Sequence, residues 1–236
     1  MASILDSFKG TFSDKFAFFK MLVFAIPLYI FYDNYLKGVA AFASISVYIY
    51  ITAFFLFGFI IKTASSVLNE EDSVMPPLNP FKLAFSALKG ILAILPATWI
   101  SVSLANFVNQ FINTIPWLDN TLKTVVWLVA ASVILTSFLM YVKSERILDA
   151  FNIKLLIEKA GDFMLGIIFY LLQLIAINIP TTGLIGYSLY ILFGFGPLFY
   201  FFIAYVIIFN LIAAAHYMAQ LQYEILGFDR TDLTLQ

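Results

Sequence analysis

Five polar side chains recur at helical spacing near the C-terminal end of one long uncharged stretch. They are Ser103, Asn106, Asn109, Gln110 and Asn113. Amides carry both donors and acceptors, so a face lined by them could form the wall of a cavity for a small polar solute. Such groups also make hydrogen bonds between membrane helices, worth about 0.6 kcal/mol per contact, or mark a helix end that leaves the bilayer. The structural interpretations are favoured here.

A second group contains the only histidine of the chain. His216, Gln220 and Tyr223 share one helical face, and Glu224 follows directly. A histidine beside a carboxylate can shuttle protons near neutral pH, and ionisable groups inside a membrane are often functional. Because His216 lies only about two helical turns from the chain's return to water, a histidine hydrogen-bonded to a neighbouring helix is the favoured interpretation.

Other polar residues in apolar surroundings are isolated. Gln173, Asn178 and Asn210 are therefore interpreted as helix–helix contacts rather than as ligands. The acidic run at 70–72, Glu-Glu-Asp, offers the oxygen ligands that a hard cation prefers. A solvated loop is the simpler interpretation of that run.

Residue types that carry most enzyme chemistry are scarce. The chain has no cysteine and one histidine, so thiolate nucleophiles and zinc sites are not expected. It shows no phosphate-binding glycine loop, no serine nucleophile elbow and no carboxylate pair in an apolar stretch. The 13 basic residues are dispersed and the net charge is −1, which argues against a nucleic-acid partner. We therefore predict a non-enzyme without metal or cofactor.

The arrangement of apolar residues indicates a membrane protein. The chain is 62% hydrophobic and 11% charged, against about 25% charged residues in an average soluble domain. Uncharged stretches of 24, 29, 19 and 61 residues cover 38–61, 90–118, 124–142 and 163–223. About 20 apolar residues span the hydrocarbon core as a helix, and these stretches lack the alternation of barrel strands. The sequence predicts an all-α polytopic membrane protein with one membrane domain over 1–236.

Six transmembrane helices are predicted. They lie at about 16–36, 38–61, 90–110, 124–142, 163–178 and 197–223. The longest stretch must break, and the segment around Pro180 is the expected place because proline removes a helix hydrogen bond. A second break is possible at 194–197. Residues 184–193 remain as a half-helix, a re-entrant segment or the first half of a kinked sixth span, with a seventh span as a further alternative.

The distribution of basic residues predicts the orientation. Eleven of them fall on one side: the N-terminus, the loops after the second and fourth spans, and the C-terminus. The other side holds two, Lys37 and Lys123. Because cytoplasmic loops carry the basic excess, we expect a cell-membrane protein with both termini in the cytoplasm.

Three short segments that precede the odd-numbered spans resemble one another. They begin at Leu5, Leu78 and Leu148, at offsets of 73 and 70 residues. In each, an apolar residue follows after three positions and another after seven; these anchors are Phe8 and Phe12, Phe81 and Phe85, and Phe151 and Leu155. We expect each segment to be an amphipathic helix in the cytoplasmic interface, with Asn79 and Pro80 starting the second.

The chain is accordingly predicted to contain three repeats, each an interfacial amphipathic helix followed by a transmembrane hairpin. Their bounds are about 4–66, 77–143 and 147–224, with a short cytoplasmic tail at 225–236. The alternative is that any loop leading into a membrane span tends to be amphipathic.

Four places in the chain carry a family resemblance. They are Leu56-Phe57-Gly58-Phe59; Asn69-Glu70-Glu71 with Pro76-Pro77-Leu78 and Lys89-Gly90; Asp149-Ala150-Phe151-Asn152; and Phe199-Tyr200 with the run from Ala215 to Tyr223. On these motifs most of the chain resembles a family of small six-span prokaryotic membrane proteins, domain of unknown function 4013. It lacks the tryptophan after the loop prolines and the glycine near Met218 that this family leads one to expect. The resemblance implies a six-span membrane protein and no particular activity.

Two main function classes stay open. The favoured class is a membrane scaffold, lipid-interacting factor or accessory subunit. It is supported by the amphipathic segments and by the lack of charge across 163–223. The alternative is a permease for a small polar or neutral solute, supported by the repeats, the polar stripe and the break at 194–197; a membrane enzyme acting on lipid is the remaining class. Coupled transporters place ionisable groups near the bilayer centre, and this chain has almost none. Expected partners are the lipid bilayer and a membrane protein or a second copy of the chain.

Overall fold

The structure, a computed structural model, describes residues 3–36, 42–69, 75–112 and 116–226. Within these ranges it is helical, without a β-strand. The helices are α1 (Ile4–Ser13), α2 (Ala17–Leu36), α3 (Phe42–Leu68), α4 (Pro80–Ile112), α5 (Pro116–Ser144), α6 (Ile153–Phe193) and α7 (Pro197–Leu226), with a 3₁₀ turn at Ile147–Phe151. Helices α2 to α7 are long and apolar enough to cross a membrane. The predicted helical class and six candidate spans are confirmed, and they indicate a multi-pass membrane protein.

The best-packed part of the molecule is one end of the bundle, which we call the basal end. It contains α1, the first turns of α2, α4 and α6, and the last turns of α3, α5 and α7. The largest fully buried apolar side chains lie there, among them Met21, Phe59, Tyr141 and Phe163. The opposite, distal end carries the α6–α7 connection.

The third helix is longer than its apolar run predicts. The second span is predicted to end near residue 61, but α3 continues to Leu68. The Lys62 ammonium lies 2.5 Å from the Glu145 carboxylate, just beyond α5. A lysine that is bound by a carboxylate does not have to mark a return to bulk water, so the helix can continue beyond it.

The predicted break at Pro180 is also wrong, because α6 runs unbroken through it to Phe193. Side chains beside the proline hydrogen-bond to carbonyl oxygens of the preceding turn, Thr181 Oγ1 to Ile177 at 2.6 Å and Asn178 Nδ2 to Leu174 at 3.0 Å. Membrane helices tolerate an internal proline, and α2 and α4 also contain one each, at Pro27 and Pro96. The chain reverses instead at 194–196, where Gly194 adopts a φ of 63°. Residues 184–193 are therefore the last turns of α6, which none of the alternatives anticipated.

The three amphipathic segments adopt three different local structures. The first is the separate helix α1. The second is continuous with the span that follows, and its predicted start is confirmed, since α4 begins at Pro80 and Asn79 Oδ1 accepts from the Lys82 N–H at 3.2 Å. The third is divided by Asn152, which ends the 3₁₀ turn and caps α6 by accepting from the Leu155 N–H at 3.2 Å. A uniform separate interfacial helix is thus not observed in the second and third segments.

Helices α4 and α6 extend far from the packed basal end. With 33 and 41 residues, they measure about 50 Å and 60 Å at 1.5 Å per residue, against about 30 Å of hydrocarbon. No apolar side chain of α6 beyond Tyr170 is buried. The distal halves of these two helices therefore present most of their side chains to the surroundings.

Candidate functional site

The polar stripe of α4 points away from the rest of the molecule. Ser103, Asn106 and Gln110 are exposed. Asn109 is half-buried at the edge of the stripe, and its Oδ1 has no hydrogen-bond partner within the described residues. Asn113 lies outside the described residues. The structure thus keeps the three exposed side chains together on one face, and that face is on the outer surface of the bundle.

Packing of small side chains explains this direction. The buried face of α4 carries Ala93, Ser101 and Ala105, spaced at multiples of four residues, and α4 packs against α3 and α5. Small residues let membrane helices approach closely. The side of α4 that carries them therefore packs on the bundle, and the amides on the opposite side point outward. The alanine and serine spacing was the sequence signal that could have predicted the outward direction, and sequence reasoning did not use it.

The histidine group joins α7 to the N-terminal helix α1. The Ser3 N–H donates to Gln220 Oε1 at 2.9 Å, which directs the Gln220 Nε2 toward His216 Nδ1 at 3.0 Å. Since an amide nitrogen only donates, Nδ1 of the neutral imidazole accepts and its proton lies on Nε2. The ring packs on Gly10, where a methyl group would collide with it.

Tyr223 shares a helical spacing with His216 and Gln220 but does not belong to this contact. Its side chain is 54% exposed. The hydrogen bond of His216 is to Gln220 of the same helix, and it is Gln220 that bonds to the neighbouring α1 segment, through the Ser3 N–H. Glu224 is likewise exposed.

A polar pair links α6 and α7 within their apolar stretches. Asn178 and Asn210 exchange two amide hydrogen bonds of 3.3 Å. The Thr182 hydroxyl donates to Asn178 Oδ1 at 2.9 Å, and the Tyr170 hydroxyl donates to the Asn210 carbonyl at 3.4 Å. The pair therefore holds the hairpin together, as expected for isolated amides. Gln173 is half-buried and lies outside this network.

Two basal polar contacts were missed from the sequence. Gln222 is fully buried, and its Nε2 donates to the Leu139 carbonyl at 2.7 Å, tying α7 to α5. The Lys62 ammonium and the Ser65 hydroxyl both contact Glu145 Oε1, at 2.5 and 3.2 Å, tying α3 to the end of α5. The sequence signal for Gln222 was an amide within a long apolar stretch, the same signal that identified Gln220.

The predicted interfacial anchors have unequal surroundings. Phe8 and Phe12 both contact the Phe209 ring of α7, with centroids 4.8 and 5.1 Å apart. Phe81 and Phe85 are 87% and 60% exposed, and Lys89 lies over the Phe85 ring at 4.5 Å. Of the third pair, Phe151 is 38% exposed and Leu155 is half-buried. Phe12 is nevertheless 55% exposed, so the second segment has the most exposed anchors but not the only exposed aromatic one.

An apolar groove opens between α2, α3 and the start of α4. It consists of two cavities of about 530 and 220 Å³ that share Val23 and Leu78 as lining residues. Lys20 stands at its basal mouth, with its ammonium 2.7 Å from Asp14 Oδ2 and 2.8 Å from the Met75 carbonyl. The groove suits an apolar chain. The Lys20 ammonium at its mouth is already paired with the Asp14 carboxylate.

The acidic run at 70–72 lies outside the described residues, so the structure does not test the interpretation of that run as a loop. Among the residues that are described, no three His, Asp or Glu side chains are grouped so that they could hold a metal ion.

No protein-family model, curated protein sequence or solved structure matches this chain. The resemblance to domain of unknown function 4013 therefore stays a prediction.

Proposed function

We propose that this chain is a non-enzymatic interaction protein of the membrane: a scaffold, lipid-interacting factor or accessory subunit whose working surface is its outside. The observation that carries the proposal is the outward exposure of Ser103, Asn106 and Gln110 on α4. Polar groups on the outer face of a membrane helix are costly in lipid and serve best as contacts to another helix.

The interior polar groups support the same proposal. A permease needs polar side chains that face a solute pathway, whereas most of the amides on α6 and α7 are engaged in contacts between helices. Asn178 bonds to Asn210, Gln222 bonds to the Leu139 carbonyl, and Gln220 accepts from the Ser3 N–H while it bonds to His216 of its own helix. Their hydrogen-bonding capacity stabilises the bundle.

The lipid bilayer is the second proposed partner. The uncovered Phe81 and Phe85 with the nearby Lys82 and Lys89 match an amphipathic segment in a membrane interface. The apolar groove beside Lys20 adds a surface for an acyl chain. We place the protein in the cell membrane with the basal end and both termini in the cytoplasm, on the basic excess of that side.

The three-repeat organisation is part of this proposal. Each repeat would contain one amphipathic segment and two long helices: α1 with α2 and α3, the start of α4 with the rest of α4 and α5, and 147–155 with α6 and α7. The helix order and the position of each segment at the basal end support it.

The test separates interaction from transport in proteoliposomes. Purified chain is reconstituted, and swelling is measured in glycerol and in urea as small neutral probes, with Asn106→Leu and Leu104→Ala as matched variants of the same helix. We expect all three proteins to swell at the rate of protein-free liposomes. In parallel, mass spectrometry of the chain in native detergent should find a protein or lipid at a fixed ratio.

Protein-dependent swelling that is lost in Asn106→Leu and retained in Leu104→Ala would overturn the proposal and establish a permease.

A further inference from the structure

The exposed face of α4 has the spacing of a helix-packing surface. We call it the α4 seam; its members are Leu92, Leu95, Trp99, Ser103, Asn106 and Gln110. Successive members are three or four residues apart, which keeps them on one side of a helix along its whole length. All six are exposed, and the apolar three range from 50% for Leu92 to 72% for Trp99.

The seam is distinct from the face that packs inside the molecule. Ala93, Ser101 and Ala105 make that inner face and are buried. At 100° per residue, Ser103 and Gln110 lie about 180° from Ser101. Helix α4 therefore has one face committed to α3 and α5 and another of equal length that no part of the described chain covers.

The polar part of the seam lies at hydrocarbon depth. Lys89 is the last charged residue before the uncharged stretch that begins at Gly90. Counted from Gly90, Ser103 and Asn106 are about 20 and 24 Å along the helix, within a core about 30 Å thick. Gln110 reaches the distal boundary. Lipid offers these groups no hydrogen bond, so a stable arrangement has to supply one.

We infer that a second copy of this chain covers the seam, making a two-fold dimer through α4. A two-fold axis along the membrane normal places identical residues of two copies at identical depths, so Asn106 meets Asn106 and Gln110 meets Gln110. Each amide is both donor and acceptor, and such a pair satisfies itself. A different protein would need polar groups matched to the same depths. Leu92, Leu95 and Trp99 supply apolar packing below the amides.

This inference deepens the proposed function, since it names the partner of the outward polar face. It rests on that proposal only in treating the face as an interaction surface.

Cysteine crosslinking tests the dimer directly, because the natural chain contains no cysteine. Ser103→Cys places a thiol in the seam. Leu104→Cys places one at nearly the same depth but about 100° around the helix axis from the seam. Leu104 is also exposed there, by 59%. In native membranes under mild oxidation, we expect Ser103→Cys to become mainly a covalent dimer and Leu104→Cys to stay monomeric. Equal crosslinking of both variants, or a monomeric Ser103→Cys, would overturn the inference.

A second measurement uses the amides. Asn106→Leu combined with Gln110→Leu should raise the dimer dissociation constant in detergent about tenfold, as the loss of several interhelical hydrogen bonds implies. Helix content by circular dichroism controls for folding. An unchanged dissociation constant would contradict the role of the amides. A Ser103→Cys chain that stays uncrosslinked but co-purifies with another protein would refute the dimer and leave the proposed function standing.

Discussion

At Gly58, helices α3 and α4 come closer together than any side chain would allow. A methyl group there would collide with the Leu83 carbonyl and lie only 2.8 Å from its carbon atom. Gly10 has a similar role beside the His216 ring. These contacts show that single glycines set the spacing of the basal helices, whereas a methyl group added at Gly183 of α6 would meet no neighbouring side chain or helix within 4 Å.

We predict opposite effects of alanine at these glycines. Gly58→Ala should lower the free energy of unfolding by about 2 kcal/mol, because a backbone clash cannot be relieved by a rotamer change. Gly183→Ala should raise it by up to about 1 kcal/mol through helix propensity alone. Denaturation of the purified protein in mixed micelles with sodium dodecyl sulfate measures both. Equal stability of the two variants would show that α3 and α4 are not in such close contact.

At the scale of elements, α1 is more than an amphipathic segment at a membrane surface. It lies along α7, with Ser3 near Gln220, Gly10 on His216 and Phe12 against Phe209. Its buried residues, Ile4, Ser7 and Thr11, form the side turned into the protein. The sequence pattern predicted the helix and its apolar residues, but the same pattern fits a lipid surface and a protein surface equally well.

Gln220 should control how firmly α1 is held. Gln220→Leu removes the acceptor for the Ser3 N–H and the donor to His216, so amides of 4–13 should exchange with deuterium about fivefold faster, as about 1 kcal/mol of lost hydrogen bonding implies. Tyr223→Leu, one turn away at an exposed site, is the matched control and should leave their exchange unchanged. If Gln220→Leu behaved like this control, the α1–α7 contact would not depend on Gln220.

At the scale of the whole molecule, the basal end contains the packing and the distal end contains exposed helix. The Lys62–Glu145 ion pair, the Gln222 contact and the cluster around Phe59 all lie at the basal end. The basic excess predicts that this end faces the cytoplasm. A bundle held together at one end leaves the distal half of α4 free to meet a partner.

Thiol labelling in intact cells tests that orientation. We expect a membrane-impermeant maleimide to label Asn120→Cys, at the distal end, without further treatment. Lys154→Cys, at the basal end, should react only after the membrane is permeabilised. Both native residues are exposed, so accessibility to the reagent depends on the side of the membrane. The reverse pattern would invert the topology.

The sequence by itself determined that this protein is a helical bundle with six membrane-length helices. Long uncharged stretches permit little else, since a backbone in hydrocarbon must satisfy its own hydrogen bonds. It also determined which polar residues share a helical face, because that follows from 3.6 residues per turn. The spacing of Ser103, Asn106 and Gln110 along the chain is enough to group them on one face.

Only the tertiary structure decided where those faces point and what they contact. Lys62 and Glu145 are 83 residues apart in the chain, and so are Leu139 and Gln222, and helical periodicity carries no information about such pairs. The predicted helix break at Pro180 is wrong for the same reason, since periodicity does not show contacts with other helices. At that point α6 is continuous, Thr181 bonds to the Ile177 carbonyl, and Asn178 bonds to Asn210 of α7. The direction of the α4 stripe was likewise settled by how the small residues on its other face pack.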